Sequence, residues 1–313
     1  SVNIVYDGKP LATGQKCFWK VRLVDEQGNW TSWSEPATWQ MGLFADDWKA
    51  RWIGVPWQGE APRRVLSPVK YEQRQYPAPL FRKTFRAKGK ITSAKAFVTG
   101  LGYFELYING EKVGDDYLVP NFTNYTVRED IKHYGISIDN KFRGYRVMYL
   151  AYDITHMLRR GDNVAGAILG NGFYDCTTGW VCSFGSPRLL CQIEITYADN
   201  TKEMICTDET WKVKESPIVA DDVFAGEVYD ANKETDGWCT TSCDDADWSR
   251  AVYRNAPVGT LTANTAPTDK ITEVLEPVSL KKLDNGTYEV DFGKEISGWI
   301  RFKDIKGNKG DTL

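Results

Sequence analysis

The chain has 313 residues, of which 42% are hydrophobic and 26% charged, and its formal net charge is -3. That balance fits an ordinary soluble globular protein of two or three domains. No cluster of Lys and Arg offers a nucleic-acid footprint. No apolar run approaches the roughly 18 residues of a membrane span, so membrane insertion is not expected, and the opening residues SVNIVYDGKP carry no signal-peptide pattern.

Aromatic residues reach 13%, with 12 Trp and 16 Tyr. Such rings favour pleated surfaces and tilt the expectation toward β structure. The seven cysteines are Cys17, Cys176, Cys182, Cys191, Cys206, Cys239 and Cys243. Their number is odd, no C-x-x-C pair occurs, and only His133 and His156 accompany them, which argues against structural zinc. Cys176/Cys182 and Cys239/Cys243 are spaced for short disulfides in an oxidising compartment, but free thiols are expected.

In chain order, CFWKVRLVD comes first. Cys17, Trp19, Val21 and Leu23 alternate with Phe18, Lys20 and Arg22, the period of a strand. The turn DEQGN follows, then Trp30, Thr31, Ser32, Trp33 and Ser34, a W-S-x-W-S-like box. In such a box Lys20 and Arg22 are expected to interleave with the Trp rings. Residues 1–44 therefore read as the C-terminal half of a fibronectin III-like module, since a whole module needs about 100 residues. Residues 45–79 read as a linker, with DDWKARWIG and then Pro56, Pro62, Pro68, Pro77 and Pro79.

Residues 80–255 read as a second domain of short strands. In YFELYING, Phe104, Leu106 and Ile108 face one way, and Asn109-Gly110 marks a hairpin turn. One short helix is expected, capped by Asp153, burying Ile154, Met157 and Leu158, and ending at Gly161. Many strands with little helix predict a sandwich or jelly roll. Residues 256–313 read as a linker followed by the first strands of a further sandwich, with Tyr288, Val290 and Phe292 alternating. Both ends are expected to lie inside unfinished domains. The predicted fold class is all-β, with sandwich and jelly-roll domains in tandem.

Chemistry-bearing residues are sparse. Acid–base catalysis by carboxyl groups generally needs two of them across a common gap. Glu105, Asp115, Asp116, Glu227 and Asp230 are acidic candidates, but nothing in the sequence pairs any two, so they read as solvated or loop-bonding charges. Gly170 to Asp175 (GNGFYD) and the stretch reaching Trp180 form a loop rich in Gly and aromatics. It could rim a pocket, though packing on a neighbouring domain is the favoured reading. It lacks the G-x-G-x-x-G spacing of a phosphate site.

The motifs CFWKVRLVDEQGNWTSWSEPATWQMGL, DDWKARWIG, LGYFELYINGEKVGDDYLVPNFTNY, YDITHMLRRGDNVAGAILGNGFY, FAGEVYDAN and VDFGKEISGWIRFKDIKGNKGD, in that order, resemble the front end of bacterial α-L-rhamnosidases, a glycoside hydrolase family. The resemblance implies a fibronectin-like module, a jelly roll with carbohydrate-binding relatives and a concanavalin-like sandwich. In this family a catalytic (α/α)6 barrel follows and carries the paired carboxylates. No long helical repeat occurs here, so no catalytic residue is assigned. The 313 residues alone are expected to be inactive, supporting a catalytic domain C-terminal to Leu313 that hydrolyses terminal α-L-rhamnosides.

Some members hold rhamnose through calcium in the jelly roll. The resemblance brings Asn124, Tyr125, Asn171, Tyr174 and Trp180 to that neighbourhood as carbohydrate-contact candidates, with Asn124 and Asn171 as weak calcium candidates. Where relatives carry Asp, this chain carries Asn124, and an amide brings oxygen without charge. Calcium is therefore not expected, nor is any other cofactor. The implied partner is a rhamnose-containing glycan or glycoside, met in the periplasm, at the cell surface or outside the cell. The alternatives are a stand-alone carbohydrate-binding protein and a cell-surface adhesion protein.

Overall fold

A computed structural model describes residues 6–60, 76–125, 144–176, 184–224, 226–308 and 310–312. The chain divides into two units, Ser1–Lys270 and Ile271–Leu313. In the first, β1 (Lys16–Trp19) pairs antiparallel with β2 (Ala37–Gln40). Next come β3 (Ile53–Gly54), β4 (Pro79–Ala87), β5 (Ile91–Leu101), β6 (Phe104–Ile108), β7 (Glu111–Lys112) and β8 (Asp116–Tyr117). They are followed by β9 (Arg146–Asp153), β10 (Gly161–Leu169), β11 (Arg188–Tyr197), β12 (Lys202–Cys206), β13 (Lys212–Glu215), β14 (Ile218–Asp222) and β15 (Gly226–Tyr229). The unit ends with β16 (Ser249–Arg250), β17 (Val252–Tyr253), β18 (Thr260–Ala263) and β19 (Asp269–Lys270).

Two sheets form a sandwich. One has the order β16-β13-β4-β10-β6-β7; the other runs β17-β3-β11-β5-β9-β18, with β12 beside β11. Pairing within both is antiparallel except that β18 runs parallel to β9. Alternation places the core. Along β6, Phe104, Leu106 and Ile108 point inward, where they join Phe81, Ala96, Val98, Ile193, Ile195, Trp211 and Val213. The hairpin turn falls where the sequence puts it: Asn109 and Gly110 have φ of 53° and 90°, a pair that Asn-Gly adopts at little cost.

The outer face of the six-stranded sheet is covered by the chain between 230 and 248. Gly166 allows the close approach: a Cβ there would lie 2.5 Å from the Trp238 ring and 2.7 Å from Cys239 Sγ. Trp238 meets Tyr107 edge-on at 5.3 Å. Arg82 is only 2% exposed. Its Nη1 pairs with Asp245, and its Nη2 donates to the Thr240 carbonyl at 2.8 Å. Lys212 Nζ joins the same Asp245 at 2.7 Å.

Three sequence expectations change. The stretch 45–79 is more than a linker: Trp52, Ile53 and Val55 are buried, and β3 pairs with β11 and β17. A strand of two residues is too short to show a period. The expected helix is a single 3-10 turn, Thr155–Met157. The Asp153 carboxylate accepts from Thr155 N at 3.0 Å, and Ile154 and Leu158 are buried. The stretch after residue 255 still serves the first unit through β18 and β19.

In the N-terminal segment the Arg22 guanidinium lies 4.1 Å from the Trp30 ring and 4.7 Å from that of Trp33, with Lys20 over Trp33 at 5.9 Å. The second unit is built on β20 (Ser279–Lys282) antiparallel to β21 (Tyr288–Asp291). Leu280 stands opposite Val290, and Lys282 lies over the Tyr288 ring at 5.8 Å. Cys17, Cys191, Cys206, Cys239 and Cys243 are free thiols. Cys182 and His133 lie outside the described residues.

Candidate functional site

The loops entering and leaving β6, β9 and β10 meet the β14–β15 hairpin. Asn171, directly after β10, is 3% exposed. Its backbone N–H donates to Asp221 Oδ2 at 2.6 Å, and its Nδ2 donates to Asp221 O and Oδ1, each at 3.0 Å. The Asn171 carbonyl accepts from the N–H groups of Tyr174 and Asp175, both at 3.1 Å. Asn171 thus ties its own turn to the strand carrying Asp221. Gly102 packs against it so closely that a Cβ would lie 1.9 Å from the Asn171 carbonyl oxygen.

Tyr125 and Tyr174 do not present rings to solvent. They are 5% and 2% exposed, in a core cluster with Trp52, Leu101, Val147 and Leu190. Their rings meet edge-on at 5.3 Å, and Phe184 stacks on Tyr174 at 5.8 Å. Burial raises both phenols, that of Tyr174 to about 12. This placement differs from the expected sugar contact: packing the rings inside removes the faces a sugar would cover. Asn124, half-buried, stands next to Tyr125 on the same loop, whose Thr123 Oγ1 donates to the Arg146 carbonyl at 2.5 Å. Trp180 lies outside the described residues.

The rings that do face outward were not singled out in the sequence. Phe122 is 46% and Phe224 59% exposed, and Phe173 bridges them at 5.2 and 5.8 Å. Phe224 reaches this row because its N–H donates to Asp222 Oδ1 at 2.8 Å. Phe173 belongs to the GNGFYD loop, but Phe122 and Phe224 come from far-apart segments with no shared pattern.

Of the acidic candidates, only Glu105 and Glu227 act on one another. The Glu105 carboxylate pairs with Lys112 Nζ at 2.9 Å and accepts from Tyr107 Oη at 2.7 Å. Burial and then the charge of Glu105 raise the Glu227 carboxyl. Asp115 pairs with Lys270, whose hydrogen bond lowers the Asp115 carboxyl. Asp116 is nearly buried, accepts from Thr268 and lies 3.7 Å from Lys270 Nζ. Asp230 accepts from Asn232 N at 3.0 Å and caps the 3-10 turn Ala231–Lys233. Four of these five are engaged in local ion pairs or caps. No group of three or more His, Cys, Asp or Glu is arranged for a metal among the described residues.

The family described as "Alpha-L-rhamnosidase N-terminal domain" matches residues 89–141 and 139–273, more than half of the chain. The chain belongs to this family. Residues 1–45 match the Rha78A-like N-terminal immunoglobulin domain, so the first segment is immunoglobulin-like. An alpha-L-rhamnosidase from Formosa agariphila is 31% identical over 96% of this chain and 32% of its own length. One from Alteromonas sp. is 31% identical over 99% of this chain and 32% of its own. The chain thus spans about a third of the length of these curated relatives. Among solved structures, the alpha-L-rhamnosidase from Dictyoglumus thermophilum superposes with a TM-score of 0.77 at 34% identity, covering 93% of this chain and 31% of that one. The chain is therefore an N-terminal rhamnosidase region of β-sandwich architecture.

Proposed function

We propose that these residues are the non-catalytic front of an α-L-rhamnosidase and support a catalytic domain lying outside the 313 residues. The observation carrying this reading is the family match across 89–273, set beside relatives about three times as long. The implied substrate is a terminal α-L-rhamnoside of a plant-type glycan, and hydrolysis belongs to the longer protein. The acidic candidates fit this: among the described residues Glu105, Asp115, Asp116 and Asp230 are held in ion pairs, hydrogen bonds or caps.

The role proposed for the outward row Phe122–Phe173–Phe224 is to seat the catalytic domain. Exposed aromatic rings in contact with one another offer a large apolar area at low conformational cost. Phe122→Ser and Phe224→Ser in the longer protein test this. Rhamnosidase half-life on heating should fall several-fold while the isolated chain keeps its own unfolding midpoint. An unchanged half-life in both variants contradicts the role.

A second reading, sugar contact by this row, is favoured by the Asp221 and Asp222 carboxylates at its edge. Rhamnose binding by the isolated chain that Phe224→Ser abolishes would favour it.

A further inference from the structure

At the end of the sandwich where β9 finishes, a cavity of about 360 Å³ opens between two walls. One wall is the β7–β8 turn, Glu111 to Asp115. The other is the end of β9 with the 3-10 turn after it, which supplies Tyr152, Asp153, His156 and Met157. β9 begins at Arg146, beside the Thr123 loop, and its run to Asp153 spans about 23 Å. The cavity is therefore remote from the loop of Asn124 and shares no residue with the Asn171 turn or the Phe122 row.

Both walls are held from behind. Val113 N donates to the Leu106 carbonyl at 2.8 Å, and Lys112 Nζ donates to the Asp116 carbonyl at 3.0 Å. The Asp153 carboxylate accepts from Thr155 N at 3.0 Å and from Thr155 Oγ1 at 2.6 Å, and Asn109 Nδ2 donates to the Met157 carbonyl at 2.9 Å. The walls meet at Gly114, whose φ is +73° and where a Cβ would stand 2.7 Å from Tyr152 Cε1. Walls fixed before binding lose little freedom when a ligand enters.

The charges around the cavity leave it acidic. Among the described residues Lys112 is answered by Glu105 at 2.9 Å, and Lys270 by Asp115, with Asp116 3.7 Å from the same ammonium. The Thr155 hydrogen bonds lower the Asp153 carboxyl, and the charges of Lys95 and His156 add to this; Lys95 Nζ itself donates to Gln40. Arg159 Nε turns to the Asp162 carbonyl at 3.2 Å, and Arg160 lines a separate cavity. Glu111 and His156 are exposed at the rim, and among the described residues neither side chain makes a hydrogen bond. An anionic ligand would thus meet the carboxylates of Glu111 and Asp153. Tyr152, Met157 and Val113 add apolar surface between these acceptors. Carboxylates for hydroxyls and carbon surface for C–H groups match a neutral pyranose, and the volume suits a small ligand.

We propose that this cavity is a binding subsite for one neutral hexose unit of a glycan, with Glu111 and Asp153 accepting from its hydroxyls and His156 at its edge. The choice of a sugar rests on the rhamnosidase reading; the choice of a neutral unit rests on the carboxylates.

The test uses the imidazole resonances of the whole 313-residue chain, which has only two histidines. His156→Gln assigns the His156 signal. At fixed pH, galactose, glucose and mannose are each titrated, beside galacturonate and methylammonium. At least one neutral hexose should shift the His156 signal saturably, with half-saturation at about 10 mM. Galacturonate should bind at least about tenfold more weakly than that hexose, and methylammonium should give no saturable shift. Glu111→Ala, at an exposed position, should weaken the hexose about tenfold with the far-ultraviolet spectrum unchanged. No saturable shift with any of the three hexoses, equal or tighter binding of galacturonate or methylammonium, or an affinity unchanged in Glu111→Ala overturns the proposal. Rhamnoside hydrolysis by the longer protein is read separately, so failure here leaves that reading standing.

Discussion

The Tyr149 phenol is locked onto Leu43: its oxygen accepts from the Leu43 N–H at 2.8 Å and donates to the Leu43 carbonyl at 3.2 Å. Gly42 makes the fit possible, because a Cβ there would lie 2.0 Å from the Tyr149 oxygen. Trp48 closes the contact, edge-on to Tyr149 at 5.1 Å. Gln192 reinforces it, its Oε1 accepting from Lys49 N at 2.7 Å. These bonds hold the immunoglobulin-like segment on the sandwich.

Tyr149→Phe should cost about 1 kcal/mol, since the Leu43 N–H and carbonyl are left buried without their partner. Limited proteolysis should cut between residues 41 and 47 several-fold faster than in the parent chain. Equal cleavage rates would show that the phenol is not the latch.

Asp245→Asn should be far more damaging. It leaves Arg82, only 2% exposed, without its counter-charge and also releases Lys212. Breaking a buried pair from one side costs about 3–5 kcal/mol. A urea midpoint close to that of the parent would contradict this. Arg82→Met, which removes the charge itself, should be less harmful than Asp245→Asn.

Cys239 reports on the covering chain. It is 2% exposed, and burial pushes its thiol from the usual 9.0 up to about 11. Between those values the unfolded thiol loses its proton and the folded thiol keeps it. This contribution therefore lowers stability as pH rises from 9 toward 11. At pH 8 Cys239 should resist a thiol-specific reagent. Gly166→Ala, by pressing on Trp238 and Cys239, should speed its modification at least about tenfold. Mass spectrometry assigns the modified cysteine; an unchanged rate at Cys239 contradicts the packing.

Calcium-dependent rhamnose binding should be absent or weak in the isolated chain. This expectation rests on the resemblance, which implies an Asp at the position of Asn124; an amide brings no charge, and affinity in calcium sites follows ligand charge count. Calorimetry with rhamnose, with and without calcium, checks this. Sub-millimolar binding that disappears on chelation, and in Asn124→Ala, would contradict it.

Much of the fold was legible because its signals are local. The alternation of Phe104, Leu106 and Ile108 and the Asn109-Gly110 turn need no distant partner to be read. The interleaving of Arg22 with Trp30 and Trp33 followed from the W-S-x-W-S-like box. β3 escaped notice because two residues carry no period, and the parallel pairing of β18 with β9 is set by tertiary contact alone. The site was read less well. Nothing local tells whether Tyr125 and Tyr174 face water or core, whereas Phe122 and Phe224, which do face outward, sit in unremarkable loops.

The most direct test of the central claim is turnover of a chromogenic aryl α-L-rhamnoside by the 313-residue chain, measured beside the longer protein at equal concentration. The account predicts hydrolysis by the longer protein and none above background by the chain alone. Turnover by the chain at a rate near that of the longer protein would contradict it.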